Sequence, residues 1–212
     1  MRNLLFASLL GGSLLAGCAS VRSGCRYEGE SAILSFGWQG IVNPSEGVNK
    51  FNLQIDIARQ HFSGLLWVKQ LDNYQYRTVF TTHFGLRVFD LEFIADSLVV
   101  HYCMEPVRKE KIIRLLKNDL SRLWGEKKKE TMVKVYKDKE TGGEKVQVYQ
   151  VSPRLFYRKN QKAHTLESIT SGRGWRKTSW IFRDFDEGYP SKIVIRHAVW
   201  PIRLELDRLD EK

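Results

Sequence analysis

The chain has 212 residues and a formal net charge of +10, with 34 Lys and Arg against 24 Asp and Glu. This length suits one domain with a sizeable hydrophobic core, and the sequence has no internal repeat or low-complexity block. It also lacks the alternating strand and helix patterns of a parallel α/β sheet, which excludes that class. The basic balance favours an anionic partner.

The N-terminus indicates export to a membrane. A cationic start at Arg2 precedes an apolar run over 4–15, which is too short to span a bilayer as a lasting helix. The run ends in Leu-Ala-Gly-Cys at 15–18, which resembles the bacterial lipobox. The resemblance implies cleavage before Cys18 and acylation of that residue, which would anchor a lipoprotein. We therefore expect three segments: a signal peptide at 1–17, a lipidated tether at 18–30 and a single domain at 31–212.

The residues after the cysteine favour an outer-membrane, periplasm-facing location. Ala19 and Ser20 stand where enterobacterial lipoproteins retained in the inner membrane carry Asp. Removing the signal lowers the formal charge from +10 to +9, because Arg2 is its one charged residue. In that compartment the anionic partners are lipid head groups or an acidic protein rather than nucleic acid. The compartment also allows a disulfide between Cys25 and Cys103, for which one pair is weak support.

The stretch 62–104 predicts three or four consecutive β-strands. Apolar and polar residues alternate along it, and linkers of two to four residues require neighbouring strands to be antiparallel. Phe84 stands out, because it lies in the tight turn 83–85, where Gly, Asn, Asp or Ser is usual. Such an aromatic residue either tucks back into the fold or waits for an apolar partner.

Further alternating segments predict strands on both sides of this stretch. They are 32–42, 51–57, 132–136, 146–151, 155–158, 166–169, 175–185, 193–200 and 202–206. Apolar residues at helical spacing over 106–125 predict one amphipathic helix with a basic opposite face. This helix either covers one side of the sheet, or plugs the mouth of an open barrel or lies on a membrane. We expect a mainly β fold with α: a curved antiparallel sheet or incomplete β-barrel of about ten or eleven strands, with a helix at its opening.

The sequence lacks a recognisable catalytic constellation, so we do not expect an enzyme. Its five histidines are scattered, and no Gly-x-Ser-x-Gly motif occurs. His101 and Cys103 would place two soft ligands on one face of a strand, but no others follow with zinc-site spacing. We expect no metal and no cofactor.

Aromatic residues are abundant, with six Trp, eight Tyr and eleven Phe. They can simply fill the core. One curved sheet with one helix, however, has too little cover for its whole concave face, which predicts an apolar pocket suited to acyl chains. Our candidates for its lining are Trp67, Tyr74, Tyr76 and Phe80. The alternative is a structural or assembly lipoprotein that binds a protein partner through the same fold.

Two stretches are similar to LolB, the outer-membrane lipoprotein receptor of the LolA/LolB family. The first is Phe-Ser-Gly-Leu-Leu-Trp-Val at 62–68, and the second is Tyr-x-Tyr-x-x-x-Phe-Thr-Thr-His-Phe-Gly-Leu-x-Val-Phe-Asp-Leu-Glu-Phe at 74–93. The predicted helix, which ends in Leu-Trp-Gly at 123–125, lies where the family has one. The resemblance covers 62–125, which is 64 of the 195 residues that follow the signal.

This resemblance implies a monomeric half-barrel that receives the acyl chains of lipoproteins from a soluble LolA-like periplasmic carrier and releases them into the outer membrane. In the family, a turn between two strands projects an apolar side chain that helps to insert the cargo. Phe84 matches the projecting position and is followed by Gly85 and Leu86, with an aromatic residue in place of the usual aliphatic one. The positive charge suits hand-over from a more acidic carrier.

Overall fold

The computed structural model describes residues 25–32, 40–43, 46–57, 60–124, 132–138, 146–199 and 202–209. Within these residues there are thirteen strands, one α-helix and a short 3₁₀ turn. The strands are β1 (Cys25–Ala32), β2 (Asn49–Ile57), β3 (Gln60–Asp72), β4 (Gln75–Thr82), β5 (Arg87–Ile94), β6 (Ser97–Cys103), β7 (Met132–Asp138), β8 (Val146–Ser152), β9 (Leu155–Asn160), β10 (Thr165–Ser171), β11 (Thr178–Asp186), β12 (Tyr189–His197) and β13 (Arg203–Leu209). The helix α1 (Glu110–Ser121) lies between β6 and β7, and the 3₁₀ turn Gly174–Arg176 precedes β11.

All thirteen strands belong to one antiparallel sheet with two open edges. Their order across the sheet is β1-β7-β8-β9-β10-β11-β12-β13-β2-β3-β4-β5-β6. Most strands pair with their chain neighbours, as short turns require, while β1 pairs with β7 and β13 pairs with β2. The sheet is curved and not closed, so the predicted fold class of a half-barrel with a helix is confirmed, with more strands than the ten or eleven expected.

The concave face of the sheet carries the core, and α1 packs on it. On β2, Phe51 and Leu53 are buried and alternate with more exposed neighbours, which is the period of two expected of a half-buried strand. The helix buries Ile112, Leu116 and Leu120, which share one side because they are four residues apart. In the described residues the helix therefore covers the sheet, one of the positions expected for it.

The chain after α1 extends this cover. Trp124 stacks on Tyr76 of β4 with ring centroids 5.7 Å apart, and it meets Phe93 of β5 edge-on at 5.5 Å. The Ile41 amide donates a hydrogen bond to the Leu123 carbonyl at 2.8 Å, which ties the segment 40–43 to the end of the helical region. These contacts close the concave face over β4 and β5.

The helix is shorter than its sequence pattern predicted. It begins at Glu110 rather than 106, because residues 105–107 form a turn in which the Val107 and Arg108 amides both donate to the Met104 carbonyl. It ends at Ser121, and Leu123 is buried beyond its end.

The N-terminal part of the sheet also differs from the prediction. β1 begins at Cys25, inside the segment expected to be a tether, and pairs with β7. The strand expected at 32–42 is wrong for 40–42, which lie in no strand, whereas 33–39 lie outside the described residues, as do the predicted signal peptide and Cys18. Cys25 and Cys103 lie on the two opposite edge strands, and Cys103 has a free thiol, so no disulfide joins them.

Candidate functional site

The β4–β5 turn holds Phe84 away from the body of the protein. The Phe84 side chain is 95% exposed, and Leu86, two residues later, is 60% exposed. The turn is hydrogen-bonded: the Gly85 amide donates to the Thr82 carbonyl at 2.9 Å, and the Thr82 amide donates to the Leu86 carbonyl at 2.8 Å. Gly85 has φ +81°, a conformation that side chains disfavour, so this residue is suited to the reversal. Phe84 is thus presented by an ordered turn and does not tuck back.

The four predicted cavity residues do not come together. Tyr76 and Phe80 lie on the concave face of β4, both buried, and Phe80 packs on Phe89 with centroids 5.4 Å apart. Trp67 lies on the opposite face of β3, where the Lys50 ammonium is 5.3 Å from its ring centroid. Tyr74 is in the β3–β4 turn with φ +60° and is exposed. The prediction of one shared lining is therefore wrong for Trp67 and Tyr74.

The two that remain on the concave face are part of a filled core. Phe80, Leu66, Val68, Phe89 and Leu91 are all fully buried, so this part of the concave face is covered in the structure. Their neighbours in the same hydrophobic cluster include the inward side of α1. An acyl chain can therefore reach this part of the face only after the residues that cover it, which include Trp124, move away.

A buried polar contact holds α1 to the sheet. The Asp119 carboxylate on α1 lies 2.8 Å from Nε2 of His197 on β12, and the two side chains are only 2% and 5% exposed. Nδ1 of His197 lies 3.1 Å from the Thr178 hydroxyl, and the Trp180 indole donates to the Asp119 carbonyl at 2.9 Å. Burial raises the pKa of Asp119, and it outweighs the hydrogen bond from His197, which acts in the opposite direction. We call Asp119, His197, Thr178 and Trp180 the helix latch.

The sequence contained one signal for this latch that our prediction did not use. Asp119 lies between Leu116 and Leu120 on the apolar side of the helix, where a carboxylate needs a buried partner. That the partner is His197, 78 residues later, is a property of the fold.

The possible zinc ligands of β6 are separated by an irregularity in the strand pairing. The register of β5 and β6 shifts between Asp90 and Leu91, so His101 and Cys103 do not share a face as expected. Nε2 of His101 lies 2.6 Å from a carboxylate oxygen of Glu92. Cys103 is buried, and this burial raises the pKa of its thiol. In the described part of the chain, no group of three or more His, Cys, Asp or Glu side chains could hold a metal ion.

Comparisons with known proteins do not identify the chain. No protein-family model and no curated protein sequence matches it. Among the described residues, α1 is neither long nor apolar enough to cross a membrane.

Proposed function

We propose that this protein is a non-enzymatic lipoprotein of the LolA/LolB type. It is anchored to the outer membrane at Cys18, binds the acyl chains of lipoproteins or lipids under α1, and inserts its cargo into that membrane. A curved open sheet whose concave face is apolar and covered by one helix suits such a carrier, because acyl chains can replace the apolar contacts that the helix makes with the sheet.

The exposure of Phe84 is the observation that carries the proposal. A phenyl ring held in water forgoes roughly 1.5–3 kcal/mol of the stabilisation that burial would provide. The ring does not recover this within the described fold, because it is 95% exposed on an ordered turn. A bilayer interior or an acyl chain would supply the missing apolar surroundings.

Cargo must compete with α1 for the concave face. The side chains that α1 buries would be released from the sheet when an acyl chain enters, so the net affinity is the difference between two apolar contacts. Transfer then needs no cofactor, since cargo passes to whichever surface offers the greater apolar burial. The basic character of the chain would favour docking of an acidic periplasmic carrier.

A delivery assay tests the role of Phe84. Acylated cargo loaded on the protein is mixed with vesicles, and the lipid-inserted fraction is measured for wild type, Phe84→Glu and Phe84→Leu. We expect Phe84→Glu to abolish insertion and Phe84→Leu to retain it, because an aliphatic tip is still apolar. Ile94→Glu is the matched control and should deliver normally. Ile94 is the last residue of β5 and is 42% exposed. Normal insertion by Phe84→Glu would remove the turn from the mechanism.

Edge strand β6 favours one alternative, an assembly lipoprotein that holds a protein partner. Val99, Val100 and Tyr102 are all exposed on this strand, which in the described sheet pairs with β5 alone. Such an edge can accept a further strand from another chain. A body that carries no lipid when purified, and that forms a stable complex lost in a Val100→Lys variant, would favour this alternative.

A further inference from the structure

One end of the sheet collects exposed basic residues around an exposed tryptophan. The loop 172–177 joins β10 to β11 and contains Trp175, which is 64% exposed. Arg173, Arg176 and Lys177 flank it, and Arg154, from the β8–β9 turn, lies beside it. All four cations are exposed. We call Arg154, Arg173, Trp175, Arg176 and Lys177 the basic rim.

The basic rim is ordered by backbone contacts. The Gly172 amide donates to the Arg154 carbonyl at 2.8 Å, which joins the two loops, and the Ala198 amide donates to the Lys177 carbonyl at 2.9 Å. Gly172 has φ +91°, and a Cβ there would collide with the Arg176 carbonyl oxygen, so the loop is closely folded at this point. Trp175 is thus held outward by a defined loop.

Nothing within the described residues neutralises the rim. None of its four cations forms an ion pair there, in contrast to Arg77 and Arg158, which pair with carboxylates. The Arg176 guanidinium lies 4.5 Å from the centroid of the Trp175 ring. The combination of an exposed indole and uncompensated cations suits an interface between apolar and anionic surroundings.

The strand register places the rim at the same end of the sheet as Phe84. A continuous row of paired residues crosses from β11 to β4: Phe182, Ile193, Leu206, Leu53, Gly64 and Thr82. Loop 172–177 precedes β11, and the 83–86 turn follows β4. Five antiparallel pairings, an odd number, separate β11 from β4, so these two strands run in opposite directions. The start of β11 and the end of β4 therefore lie at the same end of the sheet, and so do the two loops. Five strand spacings correspond to about 24 Å along the sheet.

We propose that the basic rim binds the surface of an anionic phospholipid bilayer, with Trp175 in the head-group region and the four cations on lipid phosphates. Each Lys or Arg near an anionic surface strengthens binding about fivefold. Binding through the rim then turns towards the bilayer the end of the sheet that also carries the 83–86 turn. The rim binds without cargo, so this inference does not rest on the proposed delivery function.

Vesicle flotation tests the proposal with the chain beginning at Ala19, which keeps every described residue and removes the expected acyl anchor. The probes are vesicles of phosphatidylglycerol with phosphatidylethanolamine, and vesicles of phosphatidylcholine alone. We expect binding to the anionic vesicles, little binding to the neutral ones, and weakening by added salt. Circular dichroism of each variant verifies that it is folded.

Variants of the rim separate its charges from its aromatic side chain. Replacing both Arg173 and Arg176 by Ala should weaken binding to the anionic vesicles about 25-fold, at fivefold for each cation. Trp175→Ser should weaken it about tenfold, because partial burial of an indole is lost. Lys162→Ala, in the β9–β10 turn at the other end of the sheet, is the matched control and should leave binding unchanged.

The proposal is overturned if the wild-type chain fails to bind the anionic vesicles, or if the rim variants bind as tightly as Lys162→Ala. Loss of cargo delivery in Phe84→Glu with intact vesicle binding would support the rim and the delivery function separately. Normal delivery in Phe84→Glu, with vesicle binding still dependent on the rim, would contradict only the function assigned to that turn.

Discussion

Replacing Asp119 by Ala is expected to destabilise the protein by leaving the His197 imidazole buried without its carboxylate. Both side chains are almost fully buried, and their ring nitrogen and carboxylate oxygen are 2.8 Å apart. Breaking a buried pair of this kind costs about 3–5 kcal/mol. The Thr178 hydroxyl still lies within hydrogen-bonding distance of the other ring nitrogen, and the Trp180 indole still donates to the main-chain carbonyl of residue 119. We therefore expect a loss at the lower end of this range, about 3 kcal/mol.

Urea denaturation measures this loss, and a variant on the same helix provides the control. Glu110 lies on the exposed side of α1 and pairs with Arg114 in water. Glu110→Ala should therefore change the free energy of unfolding by at most about 0.5 kcal/mol. The reasoning is refuted if Asp119→Ala and Glu110→Ala unfold at the same urea concentration.

The latch also has a distinct pH signature. Because burial raises the pKa of Asp119, the folded state binds its proton more tightly than the unfolded state, in which the pKa is about 3.9. This contribution to stability is fully present below that unfolded value and is lost as the pH rises through the raised, folded pKa. Asp119→Asn should remove this part of the pH dependence.

If α1 is the cover of the acyl site, the destabilised Asp119→Ala variant should also bind a fluorescent fatty acid more tightly than wild type.

Three further predictions concern the sheet. Phe84→Glu should unfold at the same temperature as wild type, because an exposed turn residue contributes about 0.5 kcal/mol or less; a clear drop in melting temperature would contradict this. Gly64→Ala should lower the free energy of unfolding by about 1–3 kcal/mol in urea, because a Cβ there collides with the Thr81 carbonyl oxygen; wild-type stability would mean that β3 and β4 are further apart. Hydrogen bonds from Arg77 lower the pKa of Asp90. The stability that ionised Asp90 contributes to the fold is therefore present above the unfolded pKa and is lost as the pH falls through the folded pKa. Acid unfolding monitored by circular dichroism should therefore be less steep in Asp90→Asn, and an unchanged profile would be the contrary result.

Local periodicity predicted most of the sheet because the strands that line the core alternate cleanly. β2 is an example, with buried Phe51 and Leu53 separated by polar Asn52. Edge strand β1 was missed, because most of its described side chains are exposed and it lacks such alternation. Its place in the sheet depends on pairing with β7, more than a hundred residues later.

The candidate site was predictable only where it is local. Phe84 stood out because an aromatic residue in a tight turn contradicts turn chemistry, and the structure presents it at the surface. Trp67 was assigned to the wrong face. Its neighbours in the strand, Leu66 and Val68, are buried, and adjacent residues of a strand point to opposite faces of the sheet. The latch could not be located, because the chain returns to Asp119 only through the distant strands β11 and β12.

Native mass spectrometry of the chain beginning at Ala19, before and after addition of a fatty acid, tests the central claim most directly. We predict a complex that carries one or more acyl chains and that becomes more abundant in Asp119→Ala, where the cover over the concave face is weakened. A protein that stays free of lipid in both wild type and Asp119→Ala, at fatty acid concentrations that load a known carrier, would contradict an acyl-binding half-barrel.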